Sequence, residues 1–289
     1  MRIVDRLGQG DPVFSFEFFP PKTDRGFASL YRTIQELEPL NPDFVSVTWG
    51  AGGSTRSKTM EIVVQIQQEI GIAAMAHLSC IGSGPVELAE TLDRLQAGGL
   101  ENVLALGGDR PPGYEPPPGS FSYANELAGF IRSRWSFCVG GACYPETHPA
   151  APSPEVDLDN LLRKVNAGAE FLITQLFFDN ADYFGFVERA RARGIAVPII
   201  PGIMPILNAA SIRRMMSISG AKLPGELQAK LSGVEHDDAL TCEVGIEWAT
   251  LQCRDLLEHG VPGIHFFTLN KSAATRAIFQ KLMEGGGRS

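Results

Sequence analysis

The sequence feature that most constrains the fold is an eightfold alternation of short β-rich runs with longer segments whose apolar residues recur three and four positions apart. Several of the runs are almost continuously apolar, as is typical of parallel strands covered on both faces. The predicted strands are 13–19, 43–48, 72–78, 102–107, 136–142, 170–176, 195–201 and 263–268. This alternation predicts one α/β domain over residues 1–289, a (β/α)8 TIM barrel, although an open doubly wound sheet has the same local pattern.

The helical segments outnumber the strands by one. They are predicted at 25–38, 56–69, 85–98, 123–134, 157–167, 181–193, 208–219, 239–258 and 271–284. We assign the surplus to an enlarged connection between strands 7 and 8, in which residues 220–238 form an insertion with a short helix. Two Pro- and Gly-rich stretches, 107–119 and 144–154, each follow a strand and precede a helix, and we interpret them as long loops of the kind that build barrel active sites.

Composition excludes several classes of function. The 289 residues are 44% hydrophobic and 20% charged, with a formal net charge of -8 and interspersed signs, so we expect no nucleic-acid partner. No apolar run approaches the ~20 residues of a membrane helix, and the first residues lack a signal-peptide pattern, so we expect a cytoplasmic protein. The five cysteines have no CxxC pair and no metal-ligand spacing, which indicates reduced thiols and no metal site.

Polar residues recur at or just beyond the carboxyl ends of the predicted strands, and in a barrel these ends converge on one mouth. Any one of them alone is more typical of a satisfied structural group, and their joint placement is what indicates a site. They are Glu17, Thr48, His77, Asp109, Tyr144, Gln175, Thr268 and Asn270.

Glu17 is the most informative of these residues because it interrupts an aromatic strand, FSFEFFPP. Desolvation by the neighbouring rings would raise its pKa and keep it protonated near neutral pH, as a general acid requires. A buried glutamate paired with a lysine or arginine is an equally good interpretation of this segment.

The other candidate segments have plainer interpretations beside the functional ones. Asp109 lies in a Gly-rich turn that admits a planar ligand, and it is also an ordinary turn or helix-entry aspartate. The GAGGST segment at 50–55 lacks a dinucleotide fingerprint and suits either a small anion or a capped helix start. Arg163 and Lys164 on one helix suit phosphates or a solvated face.

Taken in order, several motifs resemble the methylenetetrahydrofolate reductase family across nearly the whole chain. The combination FEFFPPKT, YPETHP and ITQLFFD in this order is highly specific. The other matching segments are FVSVTWGAGGSTR, AHLSC, ALGGDRPPG, LLRKVNAGA, IIPGIMPI and HFFTLN.

The resemblance implies a barrel with noncovalent FAD that takes hydride from NADH or NADPH and passes it to 5,10-methylenetetrahydrofolate, giving 5-methyltetrahydrofolate. It implies that Glu17 is the general acid, that Asp109 binds the pterin near the flavin, and that Gln175 and Lys271 contact the folate. The implied FAD-binding positions are Thr48, His77, Gly108, Asp109, Tyr123, Ala124, Tyr144, His148, Asp157, Asn160, Arg163 and Lys164.

The chain departs from the family pattern in three places. Gly107 replaces a usual arginine, which removes a cationic FAD contact that Arg110 could replace. Ala209 stands where some relatives place a phenylalanine against the nicotinamide, and Lys271 replaces an arginine and so lacks its bidentate fork. The chain ends soon after the barrel, so we expect no regulatory domain of the kind found in longer relatives.

Two other functions remain as alternatives. One is a folate- or flavin-binding barrel whose electrons come from a protein partner, which the two departures at Gly107 and Ala209 allow and a protonatable Glu17 disfavours. The other is a lyase or aldolase barrel, which needs a Schiff-base lysine or metal ligands at the strand ends. The sequence leaves the electron donor undecided, together with whether the protein forms a homo-oligomer.

Overall fold

The computed structural model describes residues 1–49, 53–109 and 113–284, except for the side chains of 53–56 and 218. Its strands are β1 Val13–Phe18, β2 Phe44–Val47, β3 Ala73–Ser79, β4 Asn102–Leu106, β5 Cys138–Cys143, β6 Phe171–Thr174, β7 Ile199–Ile200, β8 Gly202–Ile203 and β9 Gly263–Phe267. All neighbouring strands pair in parallel.

Helices alternate with the strands. They are α1 Ile3–Leu7, α2 Asp24–Leu37, α3 Gly53–Gln65, α4 Pro85–Ala97, α5 Ala124–Arg134, α6 Pro154–Asn166, α7 Asn180–Ala192, α8 Ala209–Ser219, α9 Gly225–Ser232, α10 Asp238–Glu258 and α11 Ala273–Glu284. A 3-10 turn at Glu38–Leu40 and a π-helical turn at Ile66–Ile70 extend α2 and α3. None of the described helices combines the length and apolar character that crossing a membrane requires.

The strand order β7-β6-β5-β4-β3-β2-β1-β9-β8 confirms the predicted TIM-barrel fold. β7 and β8 flank Pro201: β7 lies within the predicted seventh strand, 195–201, and β8 continues it just beyond the predicted end. β7 pairs with β6 and β8 with β9, which brings the sheet back on itself. Proline has no N–H for the ladder, and this interrupts the strand while the Pro201 carbonyl still accepts from His265 N–H (2.9 Å).

The enlarged seventh connection is also confirmed, since α8, α9 and α10 all lie between β8 and β9. It has a small apolar core of its own, which packs it over one side of the barrel mouth. This core contains Leu176, Phe178, Met204, Ile206, Ile212, Ala221, Leu227 and Leu231.

The barrel interior is apolar at its amino-terminal end and polar towards its mouth. The lower layers contain Val13, Phe44, Met75, Leu104, Cys138, Phe171 and Ile200, and α1 closes this end with Ile3 and Leu7. Higher up, the buried side chains are Ser15, Ser46, His77 and His265. The polar groups therefore lie where barrel active sites are found.

Candidate active site

Glu17 lies on β1 near the mouth of the barrel, where one of its oxygens is hydrogen-bonded to His265 and lies close to His77, whose Nε2 makes no hydrogen bond within the described part of the chain. Its Oε2 is 3.4 Å from His265 Nε2 and 3.5 Å from His77 Nε2. His265 is fully buried, and its Nδ1 lies 2.7 Å from Ser15 Oγ. The result is a continuous chain of polar contacts from Ser15 through His265 to Glu17, and His77 contacts the same carboxylate from the other side.

The structure changes the expected protonation of Glu17. Desolvation does raise its pKa, but the hydrogen bond from His265 and the charge interactions with His77 and His265 outweigh it, so the pKa lies below its usual value. Neither a lysine nor an arginine is its partner among the described residues. Glu17 is therefore ionised at neutral pH in the ligand-free protein.

The sequence argument for a raised pKa was wrong because it counted desolvation and not the two imidazoles. The rings to which it assigned that desolvation also lie on the other face, since strand neighbours point to opposite faces of the sheet. Phe16 and Phe18 pack outwards against the helices, whereas Glu17 points into the barrel with Ser15. At His77, burial outweighs the opposing effect of the Glu17 charge and lowers the pKa of the imidazole to about 4. His77 is thus neutral at physiological pH.

Glu17 opens onto a cavity of about 120 Å³ at the mouth. The side chain of Glu17 is 19% exposed, and Gln175, which follows β6, lines the same space. The remaining lining residues are Phe19, Leu176, Met215, Phe267, Thr268 and Leu269. The structure thus brings the predicted acid and the predicted folate contact Gln175 together.

The turn after β4 requires glycine at one position. Gly108 has φ +78°, and a Cβ there would lie 2.1 Å from Ser79 Oγ and 2.7 Å from Ile81 Cγ1. Asp109, which follows it, is exposed at the mouth. Arg110 and residues 50–52 lie outside the described residues, and the side chains of 53–55 are not described either, so the choice at 50–55 between a small anion and a capped helix start stays a prediction.

The turn after β5 presents two ring side chains. The Tyr144 and His148 rings meet edge to face with their centroids 4.4 Å apart. The backbone N–H of His148 donates to Asp157 Oδ2 on α6 (2.9 Å). His148 Nδ1 accepts from Ala150 N–H (3.0 Å), so the proton of its neutral form is on Nε2. Burial, then the Asp109 and Asp157 carboxylates, raise the pKa of Tyr144 to about 12, so the Tyr144 hydroxyl is a neutral donor at pH 7.

The two cations on α6 point in different directions. Arg163 is exposed and donates to Asn160 Oδ1 (2.9 Å), whereas Lys164 turns inwards and donates to the Ala142 carbonyl at the end of β5 (2.6 Å). Burial lowers the pKa of Lys164, and interactions with Cys143 and Asp157 offset part of that effect. Arg163 and Lys164 therefore do not present their charges on one face of α6.

The remaining predicted residues lie around the rim. Thr48 is half-buried just after β2, and its N–H donates to Phe18 O (2.9 Å). Tyr123 is 66% exposed at the start of α5, and Ala124 beside it is buried. Lys271 is exposed just beyond β9.

Sequence reasoning did not assign Ser15, His265, Phe19 or Met215 to the site. Ser15 and His265 were detectable by strand alternation, because Ser15 is two residues before Glu17 and His265 begins the motif HFFTLN. Ala209, where some relatives place a phenylalanine against the nicotinamide, is 6% exposed at the start of α8, while Met215 of the same helix lines the cavity. No group of three or more potential metal ligands occurs in the part of the chain that the structure describes.

Comparison with known proteins identifies the family. The family model for methylenetetrahydrofolate reductase matches residues 2–283. The chain belongs to the methylenetetrahydrofolate reductase family. It is 37% identical over 274 residues to 5,10-methylenetetrahydrofolate reductase of Escherichia coli (strain K12), covering 95% of this chain and 92% of the relative.

A longer member of the reductase family is also similar. Methylenetetrahydrofolate reductase (NADH) 1 of Arabidopsis thaliana is 38% identical over 300 residues, which cover 98% of this chain and 51% of the plant protein. The chain thus spans about half the length of that relative.

Two solved structures share the fold of this reductase-family chain. One is an uncharacterized protein from Clostridium thermocellum that binds two copies of 5-methyl-5,6,7,8-tetrahydrofolic acid, with TM-score 0.68, 14% identity and 98% of each chain covered. The other is dihydropteroate synthase from Xanthomonas albilineans in complex with 7,8-dihydropteroate, with TM-score 0.54, 11% identity, and 98% and 95% covered.

Proposed function

We propose that the protein reduces 5,10-methylenetetrahydrofolate to 5-methyltetrahydrofolate, with hydride from NADH or NADPH passing through FAD and with Glu17 as the general acid. Membership of the family supports the overall reaction. The observation that carries the assignment of the acid is the Glu17 carboxylate, which lines the mouth cavity while its Oε2 is hydrogen-bonded to His265 and lies 3.5 Å from His77.

The residues at the rim fit a noncovalent flavin. FAD would accept hydride from the nicotinamide and deliver it to the folate. Tyr144 offers its hydroxyl and His148 its Nε2–H as donors, and the Lys164 ammonium uses one of its three donors on Ala142, which leaves two. With these residues we propose Thr48, His77, Gly108, Asp109, Tyr123, Ala124, Asp157, Asn160 and Arg163 as the flavin site.

Glu17 must hold a proton when the methylene bridge opens. In the free protein it is ionised, and about a fifth of its side chain is exposed. Folate covering that exposed part removes the remaining hydration, and such desolvation raises a carboxyl pKa. Glu17 then takes up a proton and donates it to the leaving nitrogen of the bridge, which opens to the iminium that accepts hydride.

The folate itself is proposed to contact three further residues. Gln175 lines the cavity with Glu17 and offers both an amide donor and a carbonyl acceptor to the pterin edge. Asp109, exposed at the mouth, accepts from the pterin. Lys271 is exposed outside the cavity, where its charge suits the carboxylates of the folate tail.

A barrel that receives electrons from a protein partner is the second candidate. The observation that favours it is the absence of an aromatic ring at Ala209, which is buried at the start of α8. Direct reduction of the bound flavin by NADH or NADPH distinguishes the two.

The test follows the two half-reactions separately by stopped-flow absorbance. We expect the purified protein to carry a flavin that denaturation releases. Glu17→Gln keeps the size of the side chain and loses the acid, so flavin reduction by NADH should be largely unchanged while reoxidation by methylenetetrahydrofolate slows by about 10²–10⁴-fold.

The matched control is Glu258→Gln, an exposed glutamate at the end of α10, which should leave both half-reactions at wild-type rates. A protein that stays colourless with excess FAD would contradict the proposed cofactor. Reoxidation of the Glu17→Gln variant at close to the wild-type rate would remove Glu17 from the role of acid, and loss of both half-reactions would indicate a structural role.

A further inference from the structure

Glu146 joins two segments that are distant in sequence. It lies in the turn between β5 and α6, and its Oε1 and Oε2 accept from the backbone N–H of Lys222 at 3.0 and 3.3 Å. The Glu146 side chain is 8% exposed, whereas that of Lys222 is 78% exposed with its ammonium 4.0 Å away. The Glu146 carboxylate is therefore hydrogen-bonded to the backbone of the seventh connection, whereas the Lys222 ammonium is exposed and more distant.

Both segments reach the mouth of the barrel. The turn carries Tyr144 and His148, and the connection carries α8, whose Met215 lines the cavity beside Glu17. A second contact joins them, because Gly220 ends α8 with φ +75° and a Cβ there would lie 3.3 Å from Pro149 Cγ. The seventh connection thus touches the turn on both sides of His148.

The turn itself holds an unfavourable backbone conformation. Thr147 has φ +77°, which is rare for a β-branched residue. Such a conformation persists only where the surroundings enforce it. Thr147 N–H donates to Tyr144 O (3.2 Å), which closes the turn, and Glu146 is the adjacent anchor.

We propose that Glu146 is a positioning residue for the flavin site: by accepting the Lys222 N–H, its carboxylate fastens the strained 144–148 turn to the seventh connection and so fixes Tyr144 and His148. This inference rests on the proposed function, because it assigns those two side chains to the flavin. The same hydrogen bond connects the turn that carries Tyr144 and His148 to the seventh connection, in which Met215 of α8 lines the cavity.

The surrounding charges explain how the side chain should be altered. Burial raises the pKa of Glu146, and Asp182 on α7 and Asp179, which caps α7, raise it further, whereas the Lys222 N–H and charge lower it. Arg189 of α7 donates to Pro145 O (3.5 Å) beside it. Glutamine removes the repulsion with the two aspartates and still accepts the Lys222 N–H, so it is the conservative replacement.

The experiment compares Glu146→Ala, Glu146→Gln and Lys222→Ala, each with its melting temperature. Hydrogen exchange measures protection of the amide of residue 222, and flavin fluorescence gives the Kd for FAD. Loss of one hydrogen bond to a charged acceptor predicts that Glu146→Ala exchanges this amide about tenfold faster or more and weakens FAD binding by a similar factor.

Glu146→Gln should restore both values to within about threefold of wild type. Lys222→Ala should match wild type, since it keeps the N–H and removes only the exposed ammonium. With saturating FAD, Glu146→Ala should retain kcat, because the residue does not touch the reacting atoms. If Glu146→Ala does not fold, Glu146→Asp is measured instead. It keeps the negative charge, but its shorter side chain moves the carboxylate away from the Lys222 N–H.

Unchanged amide exchange in Glu146→Ala would overturn the link, and faster exchange with an unchanged Kd for FAD would overturn the positioning role. Equal effects of Lys222→Ala and Glu146→Ala would assign the effect to the ion pair and overturn the proposal as well. A wild-type protein with no affinity for FAD would instead contradict the proposed function, and the exchange measurement, which needs no flavin, would report on the link separately.

Discussion

Two imidazoles, of His265 and His77, affect the pKa of Glu17. His265 is tied to Ser15 through Nδ1 and contacts Glu17 through Nε2, and this contact lowers the pKa of the carboxyl. The charge interaction with His77 lowers the pKa of Glu17 as well, and burial lowers the pKa of His77 itself to about 4. Among the effects that lower the pKa of Glu17, the hydrogen bond from His265 is therefore the largest.

His265→Leu tests this control. Removing the Nε2 donor removes the hydrogen bond that lowers the pKa of Glu17, so that pKa rises and the acid stays protonated to higher pH. The descending limb of the folate half-reaction, measured by stopped flow against pH, should therefore move to higher pH. Ser15→Ala is the control and should move the limb less, because His265 remains. A limb that stays in place or moves to lower pH would contradict the assignment.

At the scale of elements, the turn after β9 fixes the end of β1. Leu269 and Asn270 are both left-handed, with φ 53° and 55°. The Asn270 side chain accepts from Phe19 N–H (3.0 Å) and donates to Phe19 O (2.8 Å). Because Phe19 lines the cavity, this turn determines where one wall of the site lies.

Asn270→Ala should therefore destabilise the protein and widen the site. Two lost hydrogen bonds at about 0.5–1.5 kcal/mol each and a left-handed alanine at about 1–2 kcal/mol predict a loss of roughly 2–5 kcal/mol in urea unfolding. The KM for folate should rise as Phe19 loosens. Asn270→Gly loses the same hydrogen bonds without the backbone strain, so it should cost less. Equal stability of the alanine variant and wild type would show that the turn holds without its side chain.

At the scale of the whole molecule, the two ends of the barrel differ: apolar packing stabilises the amino-terminal end, and the proposed active site lies at the mouth. α1 closes the amino-terminal end, where Ile3 is fully buried among the apolar side chains of the lower layers. Asn102 secures this helix by accepting from Ile3 N–H (2.8 Å) and donating to Met1 O (2.9 Å). The proposed reaction takes place at the opposite end.

Ile3→Ala should consequently affect stability without affecting the site. Truncating a buried isoleucine costs about 2–5 kcal/mol, which should appear as a lower urea midpoint. The half-reactions of the folded variant should keep wild-type rates. Val4→Ala, on the partly buried side of the same helix, should cost less. A changed rate of folate reduction in Ile3→Ala would show that the two ends of the barrel are coupled.

Local patterns in the sequence determined the eight strands, the helices between them and the enlarged seventh connection. These features follow from spacings of two, three or four residues, which report which face of an element is buried. The candidate positions at the strand ends follow for the same reason, once the strands are parallel and their carboxyl ends share one mouth. The five-residue helix α1 was not predicted, because it is too short to show a period.

Only the tertiary structure decided how these positions work. Ser15 and His265 meet across 250 residues of chain, and Glu146 and Lys222 across 76, so no local pattern reports either contact. The same holds for the pKa of Glu17. Its aromatic neighbours in sequence point away from it, and its partners come from β3 and β9. Closure of the barrel brings those strands to β1, and the electrostatics of a buried carboxylate depend on what closure places around it.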